Sequence, residues 1–177
     1  ILGKASGISA KLRTHFRPVI ADPRNRALMY RLNNVLQQWL RTNPVGQKEK
    51  QDIINPLHGF SFNSDNELVS LFHSAMPIHR NDQGTLSMQI PSFDSPNPLA
   101  PLPFNRTLDI KVSAVSCNIS DAEDIKKVET AVFHHYDGTP IPAQTLVIDM
   151  PTAEGKLTVV AVSINGAGLG IVGTFFN

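Results

Sequence analysis

The sequence predicts a mainly β fold with an N-terminal α segment: an antiparallel sandwich of about seven strands preceded by one main helix. Three observations carry this. An apolar stripe with helical period runs from Leu28 to Trp39. Period-two alternation punctuated by turn residues takes over near residue 76 and continues to the end. Nowhere do strands and helices alternate as a parallel sheet requires.

Residues 1–21 are small, basic and weakly patterned, with Gly3, Ser6, Gly7 and Ser9 predicting a flexible start. From Lys11 to Ile20, Leu12, Thr14 and Phe16 alternate with Lys11, Arg13, His15 and Arg17, which predicts a strand ended or held at a sheet edge by Pro18. Asp22-Pro23 has the form of an N-cap followed by proline at the first helical position. Leu28, Leu32, Val35, Leu36 and Trp39 then fall on one helical face, with Arg24, Arg31 and Gln38 opposite and Asn34 and Arg41 nearby. Asn43-Pro44 stops the helix, giving bounds near 23–42.

Residues 43–75 form an ambiguous bridge. Gln47–Ile54 suits a short helix and Phe60-Ser61-Phe62 a short strand; Ser64 with Glu67 has capping-box spacing for a helix of one or two turns, with a strand from Glu67 to Phe72 as the alternative. A hairpin follows, with strands at 77–80 and 85–93 around Asn81-Asp82-Gln83-Gly84. The proline-rich stretch 91–103 is an extended surface connection. Further strands are predicted at 107–117, 129–136, 145–149, 156–164 and 170–176, with Ser120–Lys127 as a charged loop and Gly166–Gly170 as a hairpin loop. This strand count and turn spacing is that of an immunoglobulin-like sandwich. The domain organisation is therefore a basic N-terminal segment, 1–75, and a β-sandwich domain, 76–177.

Composition bounds the rest. A chain of 177 residues with 41% apolar residues can bury a real core. No run of about 18 uninterrupted apolar residues exists to cross a membrane as a helix. The single cysteine, Cys117, excludes an intramolecular disulfide. The first residues hold Lys4, Lys11 and Arg13 and no continuous apolar stretch, unlike an intact signal peptide; a cytoplasmic protein is slightly favoured, with a cleaved leader as the alternative.

The formal net charge of +1 conceals an asymmetry. Residues 1–41 hold eight lysines and arginines against Asp22 alone, or +7; residues 42–177 hold eight against fourteen acids, or −6. The basic segment is expected to lie on an acidic surface of its own chain or of a neighbouring copy, with an external polyanion as the second reading. Lys11, Arg13, Arg17, Arg24, Arg31 and Arg41 are the candidate contacts for either partner.

Signatures of catalysis are missing from the sequence. There is no Gly-x-Ser-x-Gly elbow, no phosphate-cradling Gly-x-x-x-x-Gly-Lys, no His-Glu-x-x-His and no paired-cysteine zinc spacing. His134 and His135 are adjacent in a strand and so point to opposite faces; His73 and His79 flank a strand start. Asp121, Glu123 and Asp124 precede Lys126 and Lys127 in a solvated loop, and Cys117 ends an alternating strand as a core residue. Asn105-Arg106-Thr107 and Asn118-Ile119-Ser120 match the N-glycosylation pattern at about chance frequency. No metal or cofactor is expected.

The order of the pieces Gly3–Gly7, Pro23-Arg24-Asn25-Arg26, Gly59-Phe60-Ser61-Phe62-Asn63 and Gly84–Phe93 resembles a family of short uncharacterised proteins from Bacteroidetes bacteria. Those proteins share a glycine-containing basic start, a similar helix beginning and a β-rich half. This chain departs from the pattern in the low aromatic content of its start. The resemblance implies no activity and no site residues. The expected function is a non-enzymatic binding or assembly module, with another protein or a second copy as partner and nucleic-acid or polyanion binding as the alternative.

Overall fold

A computed structural model describes residues 2–20, 22, 24–42, 56–63, 76–92, 106–119, 125–136, 142–150, 156–164 and 167–176. Among the described residues two α-helices are followed by seven strands: α1 (Leu2–His15), α2 (Arg26–Thr42), β1 (Ile78–Arg80), β2 (Thr85–Ile90), β3 (Arg106–Asn118), β4 (Ile125–Tyr136), β5 (Gln144–Asp149), β6 (Lys156–Ile164) and β7 (Ala167–Phe176). The strands form two antiparallel sheets, ordered β1-β2-β5 and β4-β3-β6-β7. A mainly β chain with N-terminal helices is thus what the sequence produces.

The four-stranded sheet is covered on both sides, and the period of two explains how. On β3, Ile110, Val112 and Ala114 point to one face; Val115 and Cys117 point to the other. The first set meets Leu86, Met88, Ile90 and Ile148 of the three-stranded sheet, together with Val160, Val162 and Ile164 of β6. The second set, with Leu157, Val159 and Ala161, meets the inner faces of α1 and α2. Strand β6 lies between both layers, so every residue from Leu157 to Ile164 is buried. Two apolar cores result, one on each side of a shared sheet.

The start of the chain is helical, not a flexible lead into a strand. Ala5, Ile8, Ser9, Leu12 and Phe16 are buried at helical spacing, on one side of α1 and its continuation. A 3-10 turn at Arg17–Val19 follows, bringing Pro18 with it. Burial of that stripe against α2 and the sheet outweighs the cost of Gly3 and Gly7, which face open space.

The main helix begins at Arg26, three residues later than the Asp22-Pro23 signal implies. Asn25 is the cap: its Oδ1 accepts from the amides of Ala27 at 2.8 Å and Leu28 at 3.3 Å. In the turn before it, Asp22 Oδ1 accepts from the Arg24 amide at 3.1 Å and the Asp22 carbonyl from the Asn25 amide at 3.2 Å. The buried stripe is Leu28, Leu32, Leu36, Trp39 and Leu40, with Val35 at its margin.

Residues 57–63 tie the helices to the sheet edge. Gly59, at φ +77°, donates to the Ile171 carbonyl at 2.9 Å, and the Ile171 amide returns a bond to Phe60 at 2.9 Å. Ser61 forms an isolated antiparallel bridge with Gly170. Phe62 packs edge-on between Phe16 (5.2 Å) and Phe60 (5.3 Å), so a β7 edge contact and the helical core share one aromatic cluster.

Two strands begin earlier than the turn signals imply. Strand β4 starts at Ile125 inside the expected charged loop, because Lys126↔Ser116 and Lys127↔Val115 continue the β3 ladder. Strand β7 starts at Ala167, so residues 167–170 of the glycine-rich stretch are strand, paired with β6. The hairpin turn at 81–84 is closed as expected: Asn81 Oδ1 accepts from Gln83 and Thr85 amides at 3.1 and 2.8 Å, and Gly84 takes φ +87°. The helix and strand readings at 47–54 and 64–72, and the proline-rich stretch from 93 to 103, lie outside the described residues.

Candidate binding surface

Helix α2 presents its polar stripe outward. Arg26, Tyr30, Asn34, Gln38 and Arg41 follow one another at spacings of four, four, four and three, opposite the buried Leu28–Leu40 face, and all five are exposed. Tyr30 is the unusual member. It is a large aromatic residue left 61% exposed. Because the apolar stripes of both helices are used against the sheet, the layer shows solvent a face of cations, amides and one aromatic ring.

The six sequence-derived candidates separate into two groups. Arg17, Arg24 and Arg41 are exposed. Lys11, Arg13 and Arg31 are half-buried, at the flanks of their helices. Arg31 is engaged in the fold: its Nη2 donates to the Ser61 carbonyl at 2.9 Å, and the guanidinium carbon lies 5.3 Å from the Phe60 ring centroid. Lys11 faces the sheet closely enough for its charge to act on Cys117. Sequence reasoning left out Lys4, Arg26 and Tyr30, all of them exposed. The signal for Arg26 and Tyr30 was the same helical period that identified the buried stripe, read on the opposite side.

Apolar contact, and not an acidic surface of the same chain, lies beneath the basic segment among the described residues. Among the described residues, the sheet surface beneath the helices is Val115, Cys117, Ile119, Leu157, Val159, Ala161 and Ile171. Apolar burial docks the layer, and five exposed cations (Lys4, Arg17, Arg24, Arg26, Arg41) remain on its outside with Asp22.

Cys117 is fully buried, and burial pushes its thiol up to about 11 despite the opposing pull of Lys11. A neutral thiol at that position packs and does not attack. Burial also lowers the pKa of Arg80, which lies 5.6 Å from the Phe175 ring centroid. His79 is exposed on β1, and His134 and His135 occupy successive positions of β4. His73 and the Asp121–Asp124 cluster lie outside the described residues. Among the described residues no three His, Cys, Asp or Glu side chains gather as metal ligands, and no helix is long and apolar enough to cross a membrane. No protein-family description, no curated protein and no solved structure matches this chain.

Proposed function

We propose that this chain is a non-enzymatic immunoglobulin-like β-sandwich protein that works as a binding or assembly module, engaging a partner through the outer face of its helical layer. The observation that carries the reading is the exposed α2 stripe Arg26–Tyr30–Asn34–Gln38–Arg41, centred on a ring that is 61% exposed. Tyrosine and arginine are the residues enriched where protein partners meet, and a cluster of them on a rigid, docked helix starts with little ordering entropy to lose. The sandwich assignment is supported by strand order. Read as immunoglobulin strands, β1-β2-β5 becomes A-B-E and β4-β3-β6-β7 becomes C′-C-F-G. The resemblance to the short Bacteroidetes proteins belongs to the same proposal.

The charge on this face supports a second reading, binding of nucleic acid or another polyanion. Among the described residues, five exposed cations lie on the helical layer against one exposed acid, Asp22. Retention on heparin or DNA columns separates the two. Under the protein-partner reading, retention is weak and unaffected by Tyr30→Ala, while that substitution lowers capture of the partner. Strong retention that falls linearly with log salt and with Arg26→Gln/Arg41→Gln assigns the face to a polyanion instead.

A further inference from the structure

We infer that the occupant of this face is a second copy of the same chain, bound head to tail through the outer side of its three-stranded sheet. The inference rests on the binding-module reading and names its partner. The layers run helices, four-stranded sheet, three-stranded sheet, so the helical face and the outer side of β1-β2-β5 lie on opposite sides of one protomer. Their charges are opposite. Among the described residues the helical side exposes Lys4, Arg17, Arg24, Arg26 and Arg41 with Asp22 alone, whereas the outward positions of the small sheet carry Asp149, with Asp82 on the adjoining turn. Thr85 pairs with Asp149, which places both acids at one end of that sheet. No lysine or arginine occupies the described outward positions His79, Thr85, Ser87, Gln89, Thr145, Val147 and Asp149.

Among the described residues the helical layer also exposes Leu2 and Tyr30, and the small sheet Val147. Tyr30 is 61% exposed among the arginines, and Val147 is 62% exposed on the sheet, in register with Ser87. The same polarity runs through the whole chain, as +7 in residues 1–41 and −6 in the remainder. A protomer with complementary, opposite faces associates heterologously, and such contacts extend into chains unless the rotation between copies closes a ring.

The test uses the full chain and its mass in solution. At about 50 mM salt the weight-average mass should rise with concentration to at least twice the 19.4 kDa protomer, and fall back toward it by about 300 mM, as screening of opposed surface charges requires. Arg26→Gln/Arg41→Gln removes the helical side, and Asp82→Asn/Asp149→Asn removes the sheet side. Each variant alone should remain a monomer. Mixed, they should form a capped one-to-one pair, because each retains the face the other lacks. A closed dimer that either variant leaves intact overturns the proposal. So does a wild type that stays monomeric at every concentration and salt. A monomer that binds heparin through Arg26 and Arg41 overturns self-association and assigns the helical face to a polyanion; a monomer without heparin affinity overturns self-association and the polyanion reading, and the binding-module reading then stands or falls on capture of a different protein by wild type and not by Tyr30→Ala.

Discussion

The Arg31 guanidinium donates to the Ser61 carbonyl across 2.9 Å, joining the middle of α2 to the segment that caps the β7 edge. The same group sits over the Phe60 ring at 5.3 Å. One arginine therefore holds together a helix, a loop and a sheet edge. Arg31→Ala should lower stability by about 2–4 kcal/mol, the sum expected for a charge-assisted hydrogen bond and a ring contact. Arg31→Lys should recover only part of this, because an ammonium lacks the planar fork. Arg41→Ala, on the exposed stripe, should stay within about 0.5 kcal/mol. Urea denaturation of the three variants decides it; equal losses at positions 31 and 41 would refute a structural role for Arg31.

Helix α2 starts where its cap is, and that cap is not the one the sequence points to. Asp22 followed by proline is the stronger sequence signal, yet Asn25 accepts both first-turn amides. Asn25→Ala should cost about 1 kcal/mol of stability and Asp22→Ala only a few tenths, as measured by thermal or urea melts. The reverse ranking would place the helix start at Pro23.

These two sites show where local reasoning stops. The strands were readable because each carries its own alternation and ends at its own turn residue, as with Leu86, Met88 and Ile90 before Pro91. Helix α1 was not. Leu12 and Phe16 fit a period of two as well as a helical stripe, and the deciding members, Ala5 and Ser9, are small residues whose burial depends on α2 and the sheet. Strand β4 was shortened for a similar reason: Ile125 to Val128 reads as a charged loop until Lys126 and Lys127 are seen opposite Ser116 and Val115. The binding surface was half legible. Six basic residues were picked by charge alone, but charge does not say that Arg31 is used by the fold or that Tyr30 is left outside it.

Cys117 should report its burial through pH. Its folded-state pKa, raised by burial to about 11, lies above the ordinary thiol value of 9.0. Below pH 9 the thiol is neutral in both states and its contribution is complete. Between about pH 9 and 11 the unfolded chain releases the proton and the folded chain does not, so stability falls as pH rises, by about 2–3 kcal/mol in all. Comparing wild type with Cys117→Ala in urea at pH 8 and pH 10.5 isolates this slope from other titrating groups. A thiol reagent should label native protein at pH 8 only as fast as it unfolds. Rapid labelling in native buffer would show that the thiol is accessible.

Gly173 on β7 fits closely against Ile78 on β1. A Cβ placed on Gly173 would lie 2.7 Å from Ile78 Cγ2, well inside van der Waals contact. Ile78 is β-branched, with a χ1 that has little freedom to rotate away, and it packs against the core between the two sheets. Gly173→Ala must therefore move strand β1 or force an off-rotamer side chain, at a cost of about 1–3 kcal/mol. Ile78→Ala alone should also destabilise, by opening space beside Leu86 and Met88. Together the two changes should cost clearly less than their sum, because the second removes the methyl group that the first collides with. A double-mutant cycle in urea measures this coupling directly. A coupling energy within about 0.3 kcal/mol of zero would mean that β1 does not rest on β7 at this point, and the packing of the small sheet on the large one would need to be redrawn.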